Sequence, residues 1–224
     1  MKNRMIKKLK SMLRGSPDFD PATLNDPRAL QVEWTPSNQG GASFKTHTLV
    51  QHHSGRITFL PSKGMMLFSG VFSLIGLGAM VVGGVIAYNA DPADREWAMI
   101  IPAIFGFIFF VVGIALYFFS SAPAVFDRDQ KAFWKGRKEP SLVFDPSRLK
   151  TYVPLNEIIA LQLIRKVVSG NKSSYNSYEL NLVLKDNRRV NVIDHGAAKA
   201  IREDAATLAR FLQLPLWDGS GDRE

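Results

Sequence analysis

The chain has no cysteine. That excludes a disulfide-stapled scaffold, a thiol nucleophile, and any zinc or iron–sulfur site built on thiolates. Histidine is scarce, with four in 224 residues. No GxGxxG, Walker A, HExxH or GxSxG arrangement occurs. Charge is missing in two places. None falls between Lys63 and Asp91, a run of 27 residues, or between Glu96 and Asp127, a run of 30. A mean hydropathy of -0.03 describes an ordinary soluble chain, but the average hides this segregation. Two such runs argue strongly against a purely soluble protein.

The first run, Met65 to Tyr88, spans roughly 36 Å as a helix, enough for a hydrocarbon core of about 30 Å. The second, Trp97 to Phe119, is of similar length. Trp97, Tyr117 and Tyr88 suit the interfacial aromatic belt. Transmembrane helices are therefore expected at 65–89 and 97–120, joined by a short external loop at 90–96. Lys and Arg flank the outer ends: Lys63 before the first helix, then Arg128, Lys131, Lys135, Arg137 and Lys138 after the second. The loop carries Asp91, Asp94, Arg95 and Glu96. Positive-inside then places both termini in the cytoplasm, and the net charge of +8 reads mainly as a topology signal. No ionisable group lies inside either run, which argues against a pump or transporter. Gly76, Ala79, Gly83 and Ala87 form a line of small residues suited to close helix packing. The second helix is the first-choice partner, and another copy of the chain the alternative.

Residues 1–42 divide in two. Met5, Leu9, Met12 and Leu13 fall on one helical face, and Lys2, Arg4, Lys7, Lys8, Lys10 and Arg14 supply most of the rest. That pattern suits a helix lying on an anionic membrane surface, with a disordered basic tail as the alternative. No aromatic residue is interleaved with these charges, so nucleic acid is not expected as a partner. Residues 15–41 are rich in Pro, Asp, Asn and Gly and read as a linker with one short turn. Residues 43–61 read as a β-hairpin turning near His53-Ser54-Gly55. His47, His52 and His53 lie within seven residues. In a strand His52 points away from the other two, and no carboxylate lies between Glu33 and Asp91, so no metal is expected.

Residues 123–217 are polar, patterned and long enough for one small domain, followed by a tail at 218–224. Two strands are expected around Asp127 to Gln130. From Leu155 to Val168, Ile159, Leu161 and Leu163 alternate with Gln162, Ile164 and Lys166. Tyr178, Leu180, Leu182 and Leu184 alternate before Asp186-Asn187, a plausible two-residue turn, and Val190 and Val192 return. The last element is a helix with Asp194 as its N-cap and a stripe of Ile201, Ala205, Leu208 and Leu212 beside Phe211, stopped by Pro215. A membrane hairpin returns the chain near its entry point. The strands ending at Leu60 and starting at Val125 are thus placed to pair, which would put 43–61 in the same cytoplasmic sheet.

This order, carried by PLNEIIALQL, YELNLVLKDNRRVNVI and IREDAATLARFLQLPLW, resembles the pleckstrin-homology-like domains of small bacterial inner-membrane proteins. The whole layout resembles a group of uncharacterised bacterial two-helix inner-membrane proteins over residues 43–217. The resemblance implies an antiparallel β domain closed by a C-terminal helix, an α+β fold that binds proteins, peptides or lipid headgroups and does not catalyse.

Searching for chemistry yields little. Asp194-His195-Gly196 lies at a strand-to-helix junction and reads as turn and cap. Ser121 and Ser141 have no histidine nearby in sequence. Glu203-Asp204 reads as a solvated pair. Asn171-Lys172-Ser173 is a glycosylation sequon on the cytoplasmic side. Lys172, Lys185, Arg188 and Arg189 are placed to form a basic rim for an acidic partner or anionic lipid, with ordinary solubility charges as the alternative. The expectation is a non-enzymatic interaction module anchored in the inner membrane, without cofactor. It would bind a protein partner or anionic headgroups, and homo-oligomers are possible. The alternatives are an immunity-type protein against a membrane-acting toxin, and an oligomeric channel or transport accessory.

Overall fold

Strand β2, Arg56–Pro61, and strand β3, Ala124–Asp127, are hydrogen-bonded neighbours although 62 residues separate them in the chain. That pairing organises the protein. The computed structural model describes residues 19–38, 40–53, 55–120, 122–143, 145, 151–169 and 173–221. They divide into a β unit, up to Leu60 and from Pro123 onward, and a helical unit, Pro61–Ala122.

The helical unit holds α1, Lys63–Asn89, and α2, Arg95–Ser120. Both are long and apolar enough to cross a membrane. Ser62 caps α1 through its side chain, which accepts from the Met65 N–H. Met65, Ser69, Gly76, Gly83 and Ala87 are the buried positions of α1. They recur at roughly heptad spacing, as a pair of helices crossing at a shallow angle requires.

In the β unit, nine strands among the described residues form two sheets. The first has the order β1-β2-β3-β4-β5, adding β1, His47–His53, β4, Ala132–Lys135, and β5, Tyr152–Pro154. Segment 47–61 thus lies in the same sheet as 124–135. The second sheet has the order β8-β7-β6-β9. Its strands are β6, Ile158–Ser169, β7, Ser174–Leu184, β8, Arg189–His195, and β9, Leu216–Gly219. Helix α3, Ala198–Leu212, lies between β8 and β9 in sequence. One core draws on both sheets and α3. Ile57, Phe59, Phe126 and Phe133 come from the first sheet, Leu161, Leu163, Leu180 and Leu182 from the second, and Ile201, Ala205 and Leu208 from the helix. Period-two alternation supplies the strand residues and a 3.6-residue stripe supplies the helix. Arg128, in the β3–β4 turn, fastens the end of α3: its guanidinium lies 4.3 Å from the centre of the Phe211 ring and donates to the Phe211 carbonyl.

Several local expectations change. The register of β6 shifts between Ile158 and Ala160. Ile158 therefore joins the main core while Ile159 packs with the smaller cluster on the other side, since one extra residue reverses the alternation. The β7–β8 turn has three residues, not two: Asn187 takes a left-handed φ of 64°, and Leu184 N–H donates to Arg188 O. This is a type I turn followed by a left-handed residue. Asp194 is not a helix cap. It lies in β8, and the N-cap is Ala197, without a side-chain bond. The expected tail begins inside β9, which pairs parallel with β6, so the domain expected to be antiparallel and to end with its helix has a mixed second sheet and a strand after α3.

The largest departure is at residues 19–38, 40 and 41, the described part of the segment 15–41. They are not a linker. Two 3-10 turns, Pro21–Leu24 and Pro27–Gln31, are capped by Asp20 and Asp26. Ala29 and Val32 are buried with Ala160, Val183 and Trp217, and Leu24 and Trp34 pack on the same cluster. Turn-forming composition suggests a linker, whereas here it lets the chain follow the outer face of the second sheet.

Candidate interaction surface

The outer face of the second sheet is set by register. Gln162 faces Asn181, Ile164 faces Glu179, and Lys166 faces Ser177 across β6 and β7. Glu179 in turn faces Asp194 across β7 and β8. Alternation puts these side chains opposite Leu161, Leu163, Leu180 and Leu182, which fill the core. Two carboxylates directly opposed in a sheet repel. Lys166 resolves this from the diagonal position, with its Nζ 2.8 Å from Asp194 Oδ1 and 3.3 Å from Glu179 Oε2. Lys166 is 3% exposed and Glu179 fully buried.

Residues 33–38, 40 and 41 form a strap across this row, and the sheet's side chains grip its main chain. Gln162 Nε2 donates to Glu33 O at 3.1 Å, and Arg189 to Thr35 O at 2.7 Å. The Ser37 and Asn38 N–H groups donate to the Glu179 carboxylate at 3.0 and 3.3 Å. Lys166 donates to Asn38 O at 3.3 Å, and the Tyr175 hydroxyl to Gly41 O at 2.8 Å. Burial raises the Glu179 pKa, but bonds from Asn181 and Ser37, with Lys166 alongside, outweigh it and hold the carboxyl below its ordinary value. Asp194 is different: burial dominates, Lys166 only partly offsets it, and its pKa is raised.

A second feature lies on the outer face of the first sheet. It is a groove of about 280 Å³ lined by His52, Thr58, Leu60, Trp134 and Arg137 among others. Arg56 also lines it, but its guanidinium is 2.6 Å from Asp127 and 2.8 Å from Glu139. Asp127 also accepts from the Asp129 and Gln130 N–H groups. Burial works against ionisation there, yet these donors and Arg56 keep its pKa below the ordinary value.

The sequence-derived candidates are placed as follows. Lys185 lies 3.5 Å from Glu157, Arg188 2.5 Å from Asp186, and Arg189 3.5 Å from Glu33. Arg188 keeps 74% of its side chain exposed, whereas Arg189 keeps 9% and serves the strap. Lys172, Asn171, Ser121 and the basic positions Lys2, Arg4, Lys7, Lys8, Lys10 and Arg14 lie outside the described residues. Gly76 and Gly83 meet the second helix of the same chain. A Cβ on Gly76 would lie 2.4 Å from Gly106 O and Phe110 N, and one on Gly83 2.3 Å from Pro102 Cβ. Ala87 is buried and Ala79 half-buried. Gly106 and Gly113 repeat the seven-residue spacing in α2, a signal available in the sequence and missed.

His195 is fully buried. Its Nδ1 accepts from the Ala197 N–H, and burial depresses its pKa to about 4. Glu203 is exposed, but Asp204 is half-buried, and burial raises its pKa against the pull of Lys45 and of the Leu49 backbone. Among the described residues, no group of three metal-ligating side chains converges. No family model, curated protein or solved structure matches the chain.

Proposed function

We propose that this chain is a membrane-anchored interaction module, with a cytoplasmic β unit that binds a partner and performs no chemistry itself. The observation that carries this reading is the insertion of α1 and α2 between two hydrogen-bonded strands, β2 and β3. Two helices of this length and hydropathy suit a bilayer, and loop charge supports a connector outside and both termini inside. Leu60 and Pro123 lie within three residues of the helix ends, so the first sheet is tethered twice, by short links. Such anchoring restricts the β unit to the layer next to the membrane and raises its effective concentration for other membrane-bound molecules. The antiparallel strands β6, β7 and β8 leading into α3 support the pleckstrin-homology-like reading of the sequence, and the parallel strand β9 after α3 departs from it.

The absence of native cysteine makes the test clean. Asp94→Cys should react with an impermeant maleimide in intact cells, and Asp186→Cys only after permeabilisation. Crosslinking in the native membrane, followed by purification in detergent, should recover a stoichiometric partner. Resistance of Asp94→Cys to labelling, or recovery of the protein without any partner, would sink the respective half of the proposal.

A further inference from the structure

We propose that the outer face of β6, β7 and β8 is a binding surface for an extended segment of a partner protein, and that residues 33–38, 40 and 41 occupy it in cis until that segment displaces them. This rests on the interaction-module reading and adds to it a partner site and its regulation.

The strap is held as a bound peptide is held. The Glu33, Thr35, Asn38 and Gly41 carbonyls and the Ser37 and Asn38 N–H groups all meet side chains of the sheet. Main-chain groups of this kind belong to any extended segment, so these contacts give affinity without reading sequence. The described residues of the segment form no strand ladder, and their release breaks no sheet hydrogen bond. Two positions do read sequence. Trp34 packs 6.5 Å from Trp217, centre to centre. Seven residues on, a Cβ at Gly41 would come within 2.3 Å of Ser177 Oγ and 2.6 Å of its Cβ. The partner segment therefore has an aromatic residue followed seven positions later by glycine.

The described residues of the strap also leave two buried oxygens of the face without a bond. Ser177 Oγ and Asn181 Oδ1 are buried without a hydrogen-bond partner among the described residues. The Asn181 amide orientation is set by its Nδ2, which donates to Glu179 Oε1 at 2.8 Å. A tethered segment needs little intrinsic affinity, because its effective concentration is on the order of millimolar. A partner donor aimed at these oxygens gains bonds that the described residues of the strap do not make.

The probe is a fluorescent peptide of residues 27–42. It is titrated onto the full chain in lipid nanodiscs, both wild type and a Ser37→Pro/Asn38→Pro variant. The variant loses both N–H donors to Glu179 while the sheet face is unaltered. The expected result is binding at least tenfold tighter to the variant than to wild type. A peptide carrying Gly41→Val should bind at least tenfold more weakly than the parent. Equal binding to both proteins, or indifference to Gly41→Val, overturns the proposal. Should the variant fold poorly, amide exchange on the wild-type chain decides. Ser37 and Asn38 should exchange at least a hundredfold faster than the β6–β7 core, and equal protection overturns the proposal. A doubled mass of the variant that free peptide reverses would assign the face to a second copy and overturn the partner form. Membrane integration is scored in the same preparations, so failure of the anchoring reading is a separate result.

Discussion

Lys166→Met tests the physics of the covered face most directly. Methionine keeps the aliphatic stem and removes the ammonium that bonds both Glu179 and Asp194, which sit opposite each other on β7 and β8. Removing one partner of a buried ion pair costs about 3–5 kcal/mol, because it leaves uncompensated buried charge. The low end, about 3 kcal/mol, applies here because the Asp194 side chain remains 26% exposed. The cost has a pH signature. Without Lys166 both carboxyls titrate higher, and protonating either one relieves the repulsion. The gap between variant and wild type should therefore be largest near neutrality and narrow as the pH falls through those raised values. Adding Glu179→Gln should recover part of the loss, since it removes one of the two facing charges. Urea unfolding in detergent, followed by tryptophan fluorescence, reads this out through Trp34 and Trp217 at the strap. A loss below about 1 kcal/mol, or one that is constant between pH 7 and 5, would refute the argument.

Further outcomes follow from other sites. His195 takes its proton at pH 6.5 when unfolded but only at about 4 when folded. The fold should thus lose up to about 3 kcal/mol as the pH falls from 6.5 to 4, and His195→Gln should flatten that slope in pH-dependent denaturation. Asp127 has a depressed pKa, so its contribution is present above the ordinary carboxyl range and lost as acid protonates it. Asp127→Ala should cost about 1.5–3 kcal/mol at neutral pH and less in acid, measured by the same unfolding. Gly76→Val drives a side chain into the backbone of α2 and should destabilise the helix pair by about 1–3 kcal/mol. Gly78→Val, with nothing within 4 Å of its Cβ, should leave the thermal melt in detergent unchanged.

Much of this was legible from periodicity and charge. Two uncharged runs defined α1 and α2 almost to the residue, because length and hydropathy are local properties. Alternation at Tyr178 to Leu184 and the stripe at Ile201, Ala205 and Leu208 identified the core faces of β7 and α3. Whether Gly76 and Gly83 meet another helix of the same chain is a tertiary matter, although Gly106 and Gly113 at matching spacing carried the hint. The strap was illegible for a physical reason. Its order comes from main-chain groups meeting Glu179, Lys166, Gln162 and Arg189, which lie some 130 to 155 residues away, and main-chain groups leave no mark in a sequence. For the same reason alternation puts Lys166 on the face of β6 opposite Leu161 and Leu163 without showing what covers that face, and Asp194 reads as a helix cap. The sequence by itself determined where apolar surface must be buried. Only the tertiary structure decided which polar side chains face one another, and hence which charges are occupied in holding the fold.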